Sequence, residues 1–208
     1  MANNLTRRQL TAAGAAAICL VAQPAPKARG ETVKATLNFL GQDYVLRAEQ
    51  NDILFKFTPI DQPDLQTRTD MFSVVAYQNV QNYTQLQAQK NEIIATYKQP
   101  GSVVFNEKDA PPSSGFGGEC FFVAGQGGQG YTDAFFARFT LASGIGYALI
   151  YARSFYDAAS PGGDSAQALG SWINANGSDV AKALLDFTIV LNQAILQNWV
   201  SSLSKNAG

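Results

Sequence analysis

The chain contains no histidine. That absence removes the commonest general base, the commonest metal ligand and any Ser-His or Cys-His pairing. The usual zinc, copper and non-haem iron sites go with it. Cysteine is scarce: among 208 residues there are 2, Cys19 and Cys120, too few for a stapled scaffold. Charged residues are sparse at 15%, and the net charge of −1 supplies no field that would gather nucleic acid. No apolar run reaches the ~20 residues that a membrane-spanning helix needs. These absences lead us to expect no cofactor, no metal site and no nucleic-acid partner.

What is present begins with an uneven start. Residues 1–30 carry Arg7, Arg8, Lys27 and Arg29 and no acid; the first acid is Glu31. A basic opening leads into an apolar run from Leu10 to Ala22 and then into small residues and prolines. This is the layout of a secretory signal peptide, set apart from the folded domain. A mitochondrial presequence is also Arg-rich and acid-poor, but it is amphipathic, and this run is apolar all round. Thr6-Arg7-Arg8-Gln9-Leu10 resembles the twin-arginine export motif, in which a hydroxyl residue precedes two arginines and an apolar residue follows. Thr11 departs from that pattern, where a second bulky apolar residue is usual. The expectation is a signal over residues 1–28, cleaved between about 22 and 28, and a periplasmic destination. Loss of Arg7 and Arg8 takes the 15 basic residues to 13 against 16 acidic ones, a net of −3. Cys120 is then left alone.

The remaining chain, 29–208, reads as a single α+β domain. Strands near 33–40, 43–50 and 53–60 form a meander with turns at Gly41-Gln42 and Asn51-Asp52. In that register Leu37, Phe39, Tyr44, Leu46, Ala48, Phe55 and Phe57 share one face. Lys34, Thr36, Asn38, Arg47, Glu49, Lys56 and Thr58 share the other and meet water. MFSVVAY (71–77) is a fourth strand. A helix follows in NYTQLQAQKNEIIATYKQPG, with Tyr83, Leu86, Lys90, Ile93, Ile94 and Tyr97 near one face and Pro100-Gly101 as its stop. SVVFNEKDA, ECFFVA, AFFARFTLA and YALIYARSFY supply four more strands. Asp164 and Gln167 open a short helix that ends at Asn176-Gly177, and a last helix runs from about Ser178 to Leu203. The order predicts a mostly antiparallel sheet of about seven or eight strands, with one central and two C-terminal helices packed on it. In element order it resembles the Mog1/PsbP-like family of α-β-α sandwiches. That resemblance implies a fold and carries no site residues.

Several stretches bear on chemistry. Gly125, Gly127 and Gly130 satisfy G-x-G-x-x-G after a strand, the form of a dinucleotide fingerprint. Such a site needs a helix after the glycines, so that its amides meet the pyrophosphate. Here YTDAFFARFTLA follows, with the alternation of a strand, and no acid stands about 20 positions on. The glycines therefore read as the flexible tip of a hairpin. Cys120 lies between Glu119 and Phe121-Phe122, which suits a core filler better than a reactive thiol. Asp61/Asp64 and Glu107/Asp109 offer calcium ligands without the EF-hand ladder, and read as solvated charge.

The strands around 132–157 raise the best candidate patch. A turn in Ser143-Gly144-Ile145-Gly146, with Gly144 first, sets Phe135, Ala137, Phe139 and Leu141 on one face with Ala148, Ile150, Ala152 and Ser154. That smooth face is a bed for the helices. Phe136, Arg138, Thr140, Leu149, Tyr151 and Arg153 fall on the other. Arg138 is expected across from Tyr151, and Arg153 across from Phe136. Arginines among aromatics can hold an anion, a carboxylate or an acidic partner; they also occur as snorkelling residues on a sheet face. The last helix, apolar over more than one face, packs on the sheet or presents a surplus face to a partner.

The functional expectation is a non-catalytic exported accessory or binding protein, acting on a periplasmic protein partner or a small anionic ligand. Two alternatives stay open. One is a histidine-free enzyme using Glu119 or Asp133 beside Arg138; the other is a small-ligand or lipid carrier with an apolar cavity.

Overall fold

The computed structural model describes residues 35–51, 53–113 and 117–204. Arg7, Arg8, the cleavage region and Cys19 lie outside them. The elements are β1 (Thr36–Phe39), β2 (Gln42–Gln50), β3 (Leu54–Pro59), β4 (Asp70–Tyr77), α1 (Tyr83–Thr96), β5 (Ser102–Ala110), β6 (Glu119–Gly128), β7 (Tyr131–Ala142), β8 (Ile145–Tyr156), α2 (Ser165–Asp186) and α3 (Gln193–Ser204). All eight strands join one sheet in the order β1-β2-β3-β4-β8-β7-β6-β5, and every pairing is antiparallel. The α+β architecture is the one expected. Two four-stranded meanders meet at β4 and β8, which leaves β1 and β5 as the edges.

Helices cover both faces. Leu86, Ile93, Ile94 and Tyr97 of α1 pack with Cys120, Phe122, Phe135, Phe139 and Ile150. On the opposite face Leu169, Val180 and Leu184 of α2 and Trp199 of α3 pack with Phe55, Phe57, Phe136, Leu149 and Tyr151. The Trp199 ring stands edge-on to Phe55 and Phe57, at 5.2 and 5.1 Å between centroids. Double coverage explains why β4 is apolar almost throughout, as a strand buried on both sides must be. It also corrects the expected bed: among the described residues only α1 lies on the Phe135 face, and both C-terminal helices lie on the Phe136 face.

Turn chemistry shifted two registers. Phe39 pairs with Gln42, so the first turn is Leu40-Gly41, both with positive φ (54° and 75°). Likewise Ala142 pairs with Ile145 across Ser143-Gly144, again both positive (52° and 76°). Two left-handed residues give the type I′ turn that matches strand twist, in place of the Gly-first turn expected. The shift moves the partner by two residues, so the faces survive and the neighbours change. Arg138 pairs with Leu149, Arg153 with Ala134, and Phe136 with Tyr151.

In the first meander, Gln50 pairs with Leu54 across three residues, and the ladder slips between Leu46 and Ala48. A bulge there turns Ala48 away from the face it was given. The opposite face meets water at Thr36 and Asn38 as expected, but not throughout: Thr58 is fully buried. Arg47 folds over that end, donating to Thr58 Oγ1 and to the Pro59 and Ile60 carbonyls at 3.0–3.1 Å.

The helix starts follow their caps. Asn82 accepts from Gln85 N at 3.0 Å while Gln85 Oε1 accepts from Gln81 N at 2.8 Å, a reciprocal arrangement like a capping box. Asp164 accepts from Gln167 N at 2.9 Å. Asn176-Gly177 does not end a helix: α2 continues to Asp186. A Cβ on Gly177 would approach Ile173 to 3.3 Å and the Phe136 ring to 3.9 Å. The glycine lets this turn of α2 sit close to the sheet.

Candidate functional site

A group of chemistry-bearing side chains lies between α1 and the edge strand β5. It begins with a lysine inside an apolar stripe: Lys90 stands four residues from both Leu86 and Ile94, and its side chain has no exposure to solvent. An ammonium so placed needs opposite charge, and β5 supplies it. The ladder slips between Val104 and Asn106, leaving Phe105 as the bulged residue. Before the bulge Val104 pairs with Ala124; after it Glu107 pairs with Phe122 and Asp109 with Cys120. All three partners lie on the α1 side. The extra residue is therefore what aims both carboxylates at the helix.

Lys90 Nζ lies 2.6 Å from Glu107 Oε1 and 2.6 Å from Asp109 Oδ1. Gln87 Nε2 donates to Asp109 Oδ2 at 2.7 Å. Burial alone would raise the Asp109 carboxyl, but the hydrogen bonds from Lys90 and Gln87 hold it below its ordinary value. Burial would lower Lys90, and its hydrogen bonds to Asp109 and Glu107 carry it above its ordinary value. Beneath them Cys120 is fully buried. Burial first, and then the Asp109 carboxylate, push its thiol up to about 12. Tyr83 closes the end over Gly118, where a Cβ would fall 2.6 Å from Tyr83 Cδ2. The group carries one ammonium against two carboxylates, and its surplus negative charge sits on Glu107 and Asp109, which reach solvent. Its lysine is not free to attack, its thiol stays protonated at neutral pH, and its carboxylates are already shared. The place of Lys90 in the apolar stripe and the Glu107/Asp109 pair both hinted at it, but the pair, read as solvated charge, is instead bound to Lys90, because the bulge that aims it has no local signature.

The residues singled out as a patch are placed otherwise. Phe136 and Tyr151 are 1% and 2% exposed, beneath α2 rather than on a free face. Arg138 donates to Glu119 Oε2 at 2.7 Å and to the Leu184 and Phe187 carbonyls at 3.2 and 2.9 Å. It fastens the end of α2. Arg153 Nη1 lies 2.9 Å from Asp70 Oδ1, and its guanidinium sits 5.2 Å from the Trp172 ring centroid and 5.7 Å from that of Phe155. The Tyr151 hydroxyl donates to the same Asp70 oxygen. Burial, and then Asp70, raise the Tyr151 phenol far above its ordinary range. These four residues form internal ties, so the single open face expected of them is not formed.

Nor does the fold gather the alternative acid–base set. Asp133 shares the α1 side with Phe135, whereas Arg138 and Glu119 lie on the α2 side. Asp64 is occupied locally, accepting from Gln66 N at 2.8 Å and Thr67 Oγ1 at 3.1 Å. Among the described residues, no three Cys, Asp or Glu side chains come together as a metal-binding group, and no helix is long and apolar enough to cross a membrane.

The glycine motif is a hairpin. Gly125 pairs with Ala134 and Gly127 with Thr132 inside the β6–β7 ladder, and only Gly130 (φ 81°) belongs to the turn. The tip is thus shorter than expected, with most of the motif in strand. Phe105 lies over Gly125, where a Cβ would meet its ring at 2.9 Å.

No family model matches this chain, and no curated protein matches it. Among solved structures it is similar to PA94 from Pseudomonas aeruginosa, described as a protein of unknown function and a suggested regulator. The two share 10% identity over 76% of this chain and 99% of that one, with a TM-score of 0.41. So distant a likeness carries no functional argument.

Proposed function

We propose that this is an exported, periplasmic accessory or binding protein that works without catalysis, through contact with a protein partner or a small anionic ligand. One observation carries the non-catalytic part: the cluster that brings a lysine and a thiol together is closed on itself, with Lys90 shared by Glu107 and Asp109 above a protonated Cys120. A catalytic lysine or thiol needs its reactive form available near neutral pH. Export rests on Thr6-Arg7-Arg8-Gln9-Leu10 and the apolar run behind it.

The two parts are tested separately. Fractionation of cells expressing wild type and R7K/R8K should show the double variant retained inside; equal periplasmic yield overturns the twin-arginine route. For the second part, the native Cys120 thiol should react with a disulfide reagent on the order of a thousandfold more slowly than a free cysteine at pH 8, as its low thiolate fraction requires. Fast labelling of folded protein, or a turnover activity lost in C120A or E107Q variants that still fold, overturns the non-catalytic reading.

A further inference from the structure

On the same side of the sheet as α1, but displaced toward β3 and β4, a second polar group has the opposite character, because its charges are not spent. Arg68, in the loop between β3 and β4, is 6% exposed, and Asp133 of β7 is 2% exposed. Arg68 Nη1 donates to the Leu65 carbonyl at 2.8 Å. Its Nε and Nη2 have no partner, nor has Asp133 Oδ1. Lys56 of β3, half-buried, makes no hydrogen bond or ion pair among the described residues, and the Arg68 charge acts on both Lys56 and Asp133.

The unpaired atoms have a specific geometry. Nε–H and the Nη2–H beside it point the same way from one edge of the guanidinium, the two parallel donors that grip a carboxylate in bidentate fashion. The loop that carries them is firmly held. Gln62 Oε1 accepts from Thr69 N at 2.8 Å, Thr69 Oγ1 at 3.2 Å and Asp70 N at 3.1 Å. The Tyr156 hydroxyl donates to the Gln66 and Arg68 carbonyls at 3.1 and 2.9 Å. Charge decides between fillings. A water could meet the fork's hydrogen bonds, but it brings no charge to the buried guanidinium. A ligand carboxylate supplies that counter-charge in the geometry the fork fits, and burial makes its absence costly.

We propose that the unpaired edge of Arg68, with Lys56 and Asp133 beside it, is a binding site for a small carboxylate that also carries a hydrogen-bond donor. The carboxylate occupies Nε and Nη2 of Arg68, and the donor meets Asp133 Oδ1. Entry is past Lys56, the most exposed member of the three. This rests on the binding-protein reading and names its ligand class.

The test is titration of the purified protein with sodium lactate, acetate, phosphate and chloride at matched ionic strength, read by thermal shift and calorimetry. Lactate should bind saturably and more tightly than acetate, chloride should give no saturable signal, and R68K should lose about tenfold or more, since lysine keeps the charge but not the fork. Absence of saturable lactate binding to wild type overturns the site. So does equal binding by R68K, or binding that appears only in D133N, which would mean that Asp133 itself fills the fork in solution. Preference for phosphate overturns the ligand class. If R68K does not fold, the Arg68 Nε–H resonance of wild type serves instead: lactate should shift it, and an unmoved signal overturns the proposal. Turnover dependent on Glu107 or Cys120 would refute the non-catalytic reading without emptying this fork, so the two failures are distinguishable.

Discussion

Lys90 Nζ and Asp109 Oδ1 are 2.6 Å apart, with the lysine side chain wholly out of solvent and the aspartate 27% exposed. That difference in exposure makes the cluster asymmetric. Removing the lysine leaves two carboxylates that can turn to water, whereas removing the carboxylates leaves a buried ammonium with no counter-ion. We expect K90M to cost ~1–2 kcal/mol and E107Q/D109N ~3–5 kcal/mol, the range for an uncompensated buried charge. Urea melts of the two variants check this, and equal losses would contradict it.

The same pair sets a pH profile. Asp109 is held below its ordinary 3.8, so its contribution is complete above that value and is lost as pH falls through the lower folded-state value. Lys90 is carried above its ordinary 10.5, so its contribution is complete below that value and is lost as pH climbs past it. The Cys120 thiol, pushed up from 9.0 to about 12, adds a loss that begins near pH 9, so stability from this cluster should be flat between about pH 4 and pH 9 and fall on both sides. D109N should flatten the acid limb selectively, measured as melting temperature against pH.

Much of this architecture was legible in alternation. Phe135/Phe136 and Leu149/Ile150 assign opposite faces whatever the register, so the two cores follow from the pattern even though both I′ turns displaced the pairing. Ser143 in a left-handed conformation was not foreseeable, because the neighbouring Ser-Gly-Ile-Gly also permits a Gly-first turn. Gly177 misled for a different reason: a glycine that admits close packing looks the same in sequence as one that ends a helix. The candidate sites were the least legible part. Lys90 meets Glu107 and Asp109 through a contact 17–19 residues apart in sequence, made only because a bulge aims β5. Arg68 sits in a loop with no motif around it.

The glycine-rich hairpin separates two roles by substitution. If the glycines cradled phosphate, all would be needed for close backbone approach. In the hairpin their demands differ. Gly130 has φ 81°, so G130A should cost ~1 kcal/mol through backbone strain. At Gly127 the nearest atom to an added Cβ is the Gly101 carbonyl oxygen at 3.5 Å, an ordinary contact, and G127A should be near neutral. Thermal melts of the two variants give the ordering, and equal sensitivity would contradict it.

Arg138 offers the sharpest contrast between an internal and an external role. α2 ends at Asp186, where its last carbonyls lack helical partners, and Arg138 donates to two carbonyls there while pairing with Glu119. A cation at a helix C-terminus also meets the negative end of the dipole. R138M should therefore cost ~1–3 kcal/mol, the range for a charged hydrogen-bond donor whose partners are left unmet. R138K should fall between, since it keeps charge without the fork. The location of the loss matters more than its size. Amide exchange should quicken around residues 184–192, where Arg138 holds the chain between α2 and α3, and stay slow in the β7–β8 ladder. A variant with unchanged exchange and unchanged melting would show that these contacts do not secure α2, and would return Arg138 to consideration as a residue that faces a partner.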